Sequence, residues 1–265
     1  GDYGRVLLIG GSQGMAGAIS LAGMATLRSG AGLVHLAVPK SILPTVAQFD
    51  PAYMTHSLSD DRHGRFLPRA LPKLRALAES VDVVAIGPGI GRDDTTTDQA
   101  RQAVIEMPLP TVVDGDGLFA LAWSAQGASA LLRGRSLPTV ITPHDGEYQT
   151  LAGRPPGADR LASARSLAAD TGAVVLLKGS TTVVAGPDGR VLVVTNGDQR
   201  LATAGTGDVL AGVIGALLAR GVPAVEAAAA GAWLHGDALR RLPQSGVVAS
   251  DLVDGMQAMP EEFVR

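Results

Sequence analysis

Short apolar runs rich in β-branched residues, at 5–10, 32–38, 81–87, 111–114, 139–142 and 173–178, alternate with Ala- and Leu-rich segments of helical length. That rhythm predicts an α/β fold in which helices cover both faces of a mostly parallel sheet. Two further runs, 181–185 and 191–195, flank Gly186-Pro-Asp-Gly-Arg190 and predict an antiparallel hairpin at the sheet's edge. From Val209 the large apolar residues fall at 209, 210, 213, 214, 217 and 218, one face of a helix, with Gly221 as its closing residue. A second long helix is predicted from Pro223, with the proline at its first position, and a last short one from Ser250-Asp251. No Pro/Ser-rich linker, charge run or internal repeat interrupts residues 1–265, so a single domain is expected.

Composition narrows the function classes. With 46% apolar residues in 265, the chain can bury a substantial core, yet no apolar run approaches a membrane span. The chain has no cysteine, which rules out disulfides and thiolate metal sites and suits a reducing, cytoplasmic setting. A net charge of −3, no basic cluster and only 3% aromatics argue against a nucleic-acid partner. The chain opens at Gly1 rather than Met with no signal-peptide pattern, so it is expected to be part of a longer protein.

The chemistry concentrates at the loops that follow the strands, where ligands of open α/β sheets collect. In Ala204-Gly-Thr-Gly207 the glycines allow backbone N–H groups of Gly205, Thr206 and Gly207 to converge at the positive end of the following helix, a candidate anion hole. Asp208 in its first turn would repel a bound phosphate. It is either an acid that favours the helix dipole or a general base that takes a proton from a hydroxyl being phosphorylated. Ile9-Gly-Gly-Ser-Gln-Gly-Met-Ala-Gly-Ala18 lacks the G-x-G-x-x-G spacing of a dinucleotide-binding dehydrogenase. Its small residues either pack strand against helix or form a wall for a bulky ligand. Ala85-Ile-Gly-Pro-Gly-Ile-Gly-Arg92 offers close backbone approach, and Thr95 to Thr97 offer caps for the next helix. Asp116 reads as an N-cap, whereas Asp114 could face the site or bind Mg2+ through water. In Thr142-Pro-His-Asp-Gly-Glu147 the spacing puts His144 and Glu147 on one turn, with Glu147 available to organise the waters of a Mg2+. Lys178 either protects a sheet edge or neutralises a nucleotide phosphate, Gly179 giving close approach and Ser180, Thr181 and Thr182 donating hydroxyls. No G-x-x-x-x-G-K-[ST] is present, so a P-loop is excluded.

Seven segments in order, G-G-S-x-G-M-x-G-A, L-R-S-G-A-G-L-V, G-P-G-I-G, V-V-D-G-D-G-L, T-P-H-D-G-E, K-G-S-T-T and A-T-A-G-T-G-D-V-L-A-G, resemble the NAD(P)H-hydrate dehydratase family. That family is a repair branch of the ribokinase-like superfamily, and the resemblance runs from about Asp2 to Val253. It implies a three-layer α/β/α fold and an ADP-dependent dehydration (ATP in some relatives) that restores NADH or NADPH. Asp208 would deprotonate the ring hydroxyl for attack on the terminal phosphate, the Gly205 to Gly207 amides and Mg2+ stabilising the transferring charge. By the same resemblance Ala18, Gly89, His144 and Asp208 match hydrate-binding positions, and Lys178 to Thr182 with Gly207 match the adenine-nucleotide site. It also implies a homotetramer and a frequent fusion behind an NAD(P)H-hydrate epimerase. Departures are few: Asp145 and Ala204 replace the usual proline and glycine, and Asn196-Gly-Asp-Gln differs from the frequent N-P-G-N turn. Two other readings stay open. A small-alcohol kinase of this fold, acting on hydroxymethylpyrimidine or hydroxyethylthiazole, needs the same base, although paired glycine walls at 10–17 and 87–91 suit a ligand as large as a dinucleotide. A nucleotide-binding sensor or scaffold would not need Asp208. The choices between ADP and ATP and between NADH and NADPH hydrate are not legible.

Overall fold

A computed structural model of the chain describes residues 3–256. Nine strands, β1 (Arg5–Ile9), β2 (Leu33–Pro39), β3 (Met54–Leu58), β4 (Val83–Ile86), β5 (Thr111–Val113), β6 (Thr139–Ile141), β7 (Val174–Leu177), β8 (Thr182–Ala185) and β9 (Val191–Val194), form one sheet. The helices of one layer are α1 (Ala16–Arg28), α2 (Leu43–Ala47), α9 (Thr206–Ala219), α10 (Ala224–Ala238) and α11 (Ala249–Gly255). Those of the other are α3 (Leu71–Ala78), α4 (Asp94–Glu106), α5 (Asp116–Ala122), α6 (Gly127–Arg133), α7 (Asp145–Ala152) and α8 (Arg160–Thr171). Strand order is β3-β2-β1-β4-β5-β6-β7-β8-β9, parallel from β3 to β7, with β8 and β9 antiparallel. The three-layer architecture and the edge hairpin are as the residue pattern predicts.

The central strands β1 and β4 to β7 are apolar on both faces because both faces are covered. In β1, Val6 and Leu8 enter the core under α1 and α9, while Leu7 and Ile9 enter the opposite core. The structure adds β3, which the pattern of apolar runs does not reveal. Its sequence Met-Thr-His-Ser-Leu carries three polar side chains, tolerated because the strand is an edge with only β2 beside it.

Helix α9 is buried on nearly every side, with Gly212 and Gly215 as well as the six large apolar residues out of solvent. Gly212 permits the close crossing of α1: a Cβ there would lie 2.2 Å from the Ala22 carbonyl oxygen. Thr26 Oγ1 lies 2.7 Å from Ala22 O and 3.1 Å from Gly212 O, stitching the two helices together. Gly212→Ala is therefore expected to destabilise the fold by about 1–3 kcal/mol, read as a fall in Tm. Gly134→Ala, whose new methyl meets nothing nearer than 3.5 Å, is the neutral control. Gly221 closes α9 at φ +83°, as expected. Two ends differ from expectation. Pro223 is the N-cap of α10 rather than its first residue, its ψ of 149° being extended, and α11 begins at Ala249. Among the described residues no helix is long and apolar enough to cross a membrane.

Candidate active site

The loops after β1, β4, β5, β6 and β7 meet the N-terminus of α9 beyond the carboxyl ends of the strands, the place where open parallel sheets bind ligands. Gly205 is the N-cap of α9 at φ +91°, a left-handed conformation, and a Cβ there would strike Ala249 and Leu21 at 2.9 Å. The Thr206 hydroxyl turns back to Leu201 O and Thr203 O at 2.7 and 2.9 Å, and its amide donates to Thr203 O at 3.3 Å. Among the described residues, the amides of Gly205, Gly207 and Asp208 have no protein acceptor. The free donors at this helix end thus include that of Asp208, while Thr206, expected as a donor, is partly spent on its own loop. Behind the turn, His235 of α10 is buried close to the Thr206 backbone, and burial pushes its imidazole down to about 4, so it stays neutral.

Asp208 stands in a charged cluster supplied by three strands. Burial first, and the Asp114 charge second, push its carboxyl up to about 7, with Lys178 pulling the other way. Asp114, at the end of β5, is only 3% exposed; it accepts Lys178 Nζ at 2.8 Å and the Thr142 hydroxyl at 2.6 Å. Burial would raise the Asp114 carboxyl, but Lys178 and these hydrogen bonds hold it below its ordinary value. Burial would likewise lower the Lys178 ammonium, and Asp114 with Glu147, 3.5 Å away, keeps it above. Gly207 explains the intimacy of the group, since a Cβ there would lie 3.3 Å from Asp114 Oδ2 and 3.5 Å from Lys178 Nζ.

His144 and Glu147 share one turn, as their spacing predicts, and they cap α7 reciprocally. His144 Nδ1 accepts the amides of Gly146 and Glu147 at 3.0 and 3.2 Å, and Glu147 Oε2 accepts the His144 amide at 2.8 Å. With Nδ1 an acceptor, the neutral ring carries its proton on Nε2, and the side chain is 58% exposed. A donor is therefore presented at the mouth of the site. Glu147 Oε1 has no protein partner among the described residues.

The glycine-rich loops after β1 and β4 are stitched to each other. Gly11 donates to Pro88 O at 2.8 Å and Ser12 Oγ to Gly89 O at 2.9 Å, and a Cβ on Gly89 would meet Ala18 Cβ at 2.8 Å. Ala18 and Gly89 therefore form one wall. The Lys178-Gly179 segment is pinned by Arg160, which donates to Lys178 O at 2.8 Å and to Asp145 Oδ1 at 2.7 Å. Ser180 is exposed, Thr181 and Thr182 are half-buried, and Thr182 Oγ1 lies 3.5 Å from Gly179 O. Two capping expectations are corrected. Gly115, not Asp116, is the N-cap of α5, and the Asp116 carboxylate instead accepts Gly91 N at 3.0 Å and Arg92 Nε at 2.6 Å. Asp93, not Thr95 to Thr97, caps α4 by accepting the Thr96 amide at 3.0 Å. The roles of Arg92, Arg160, Thr142 and His235 have no local signal in the sequence, because each partner lies on another element.

The chain is 44% identical over 262 residues to the bifunctional NAD(P)H-hydrate repair enzyme Nnr of Moorella thermoacetica, matching 96% of this chain and 48% of that protein. The chain thus spans about half the length of that relative. It is 36% identical over 273 residues to the ADP-dependent (S)-NAD(P)H-hydrate dehydratase of Neisseria meningitidis, covering 86% of it and all of this chain. Among solved structures, the Bacillus subtilis ADP/ATP-dependent NAD(P)H-hydrate dehydratase co-crystallised with ATP/Mg2+ superposes with a TM-score of 0.79 at 28% identity, over 96% of this chain and 87% of that one. The family model described as NAD(P)H-hydrate dehydratase matches residues 6–259, a span that contains every residue of the cluster around Asp208. The chain therefore belongs to the NAD(P)H-hydrate dehydratase family.

Proposed function

We propose that this chain repairs hydrated nicotinamide dinucleotides, converting NAD(P)H hydrate and ADP into NAD(P)H, AMP and phosphate. The observation that carries the reading is Asp208, a carboxyl held at about 7 beside amides of Gly205, Gly207 and Asp208 that no protein acceptor satisfies. A base poised near neutrality takes the proton of the ring hydroxyl, and the helix-end amides receive the charge of the phosphoryl group moving onto that oxygen. The hydroxyl oxygen bonds to the terminal phosphorus of ADP as AMP leaves. The ring nitrogen's lone pair then expels phosphate from C6, and loss of the C5 proton restores the reduced ring. Ala18 and Gly89 would line the ring, with His144 Nε2 donating to it. Lys178 to Thr182 and Gly207 would hold the adenine nucleotide. Glu147 suits Mg2+, because Oε1 is a hard oxygen donor without a protein partner among the described residues and this ion takes one or two carboxylates together with water and phosphate. When bound, the ion neutralises charge on the transferring group.

Relatives that are over a third identical to this chain across the aligned residues carry dehydratase or hydrate-repair names, which favours this reading over a small-alcohol kinase. The bifunctional name of one supports a second repair activity in the same polypeptide, here assigned to an epimerase domain. A cytoplasmic setting and a homo-oligomer, a tetramer by resemblance, complete the proposal. The test is incubation with acid-hydrated NADH, Mg2+ and either ADP or ATP while the reduced-nicotinamide absorbance is followed. Recovery with ADP is expected. No recovery with either nucleotide, alongside turnover of a vitamin-precursor alcohol, would overturn the reading in favour of the kinase.

The pH profile adds a sharper expectation. Asp208 must be ionised to act as a base, so activity should rise with pH through an apparent pKa of about 7. Asp114→Asn removes a like charge and releases Lys178 to act on Asp208, so the acid limb should move to lower pH. A limb that stayed in place or moved up would contradict this electrostatic assignment.

A further inference from the structure

Beside His144 and Glu147 lies a cavity of about 210 Å3 whose outer wall has no part in the chemistry above. Whole small-ligand pockets run to roughly 300–1,000 Å3, so this one is sized for a part of a larger ligand. Arg92, Leu118, Phe119 and Thr150 line it along with His144 and Glu147. Arg92 is held from two directions: its Nε donates to Asp116 Oδ1 at 2.6 Å, and its Cζ lies 5.0 Å over the Phe119 ring. Phe119 is in turn backed by Trp123, their ring centroids 5.2 Å apart and 17° from parallel. Neither terminal nitrogen of Arg92 has a hydrogen-bond partner among the described residues, and the side chain is 57% exposed. A guanidinium fixed at Nε and on its face, with its Nη donors free, is preorganised for a phosphate and loses little entropy on binding one.

Which ligand's phosphate reaches Arg92 is decided by topology. Arg92 follows Gly89 on the loop after β4, and the cavity spans the ends of β4, β5 and β6. The Lys178 to Thr182 loop emerges from β7, on the other side of β6. We propose that Arg92 receives a phosphate of the dinucleotide hydrate, either the ribose 2′-phosphate or the bridging pyrophosphate, and so determines specificity for that substrate. The assignment rests on the dehydratase reading.

The test measures KM and kcat of Arg92→Gln and Arg92→Lys with NADPH hydrate, NADH hydrate and ADP. Arg92→Gln should raise the hydrate KM about tenfold or more, with kcat within about twofold and the ADP KM unchanged. Arg92→Lys, which keeps the charge and loses the fork, should recover part of the loss. Phe119→Leu should give a smaller rise, about two- to fivefold. A rise confined to NADPH hydrate identifies the 2′-phosphate, and an equal rise for both hydrates identifies the pyrophosphate. Unchanged KM for both hydrates, or a rise confined to ADP, overturns the role of Arg92 and leaves the dehydratase reading standing. If the unaltered protein turns over neither hydrate, that reading itself fails. Calorimetric titration of NADP+ and NAD+ into the protein and Arg92→Gln then decides, equal binding by both proteins overturning the proposal.

Discussion

Asp208→Asn should lower kcat by about 10²–10⁴-fold, the usual contribution of a positioned acid or base, while ADP still binds. The amide has the shape of the carboxylate and keeps the backbone donors of the α9 turn in place, but it cannot take a proton from the ring hydroxyl. At neutral pH the native carboxyl is near half-ionised, so its replacement also removes some repulsion of the incoming phosphate, and ADP affinity should hold or improve. Single-turnover release of AMP reads the first effect, and calorimetric titration of ADP reads the second. Equal turnover by Asp208→Asn and the native chain would remove Asp208 from the role of base, whereas ADP binding with no turnover by either would make the site a nucleotide-binding module.

The second large effect is on stability. Asp114→Ala leaves the Lys178 ammonium with Glu147 at 3.5 Å in place of a partner at 2.8 Å, in a cluster where Asp114 itself is 3% exposed. Breaking a buried pair by removing one member costs about 3–5 kcal/mol, because the surviving charge remains desolvated. At roughly 2–4 °C per kcal/mol in a chain of this size, Tm should fall by some 6–20 °C. Asp114→Ala with Lys178→Met should be more stable than Asp114→Ala alone, since the second change removes the stranded charge. Thermal or urea unfolding of the two variants tests this. A double variant weaker than the single one would mean that the Lys178 ammonium stays favourably paired with Glu147 once Asp114 is gone.

Much of the site was legible because it is local. Residues 204–208 are contiguous, so the glycines, the helix that follows and the acid fall together in the sequence itself. His144 and Glu147 are three residues apart on a helix end, and the structure finds them capping each other. The Asp114–Lys178 contact spans 64 residues and the Arg92–Asp116 contact 24, and neither leaves a periodic trace. The capping difference at Asp116 has the same origin, whereas that at Thr95 to Thr97 is local. Asp116 is a good cap by type, but the loop after β4 claims its carboxylate, and Asp93 stood one turn nearer to do the capping of α4.

The sequence by itself determined the alternation of elements, the parallel sheet with its antiparallel edge and the glycine-rich turn ahead of Asp208, since each follows from spacing along the chain and the conformations glycine permits. Tertiary structure alone decided that a polar segment could serve as β3, that Lys178 would be paired with Asp114, and that Arg92 would be braced on Phe119. It also decided the proton affinity of Asp208. A carboxyl's readiness to act as a base depends on the water removed from it and the charges set around it, and here both come from strands distant in sequence that only the folded sheet brings together.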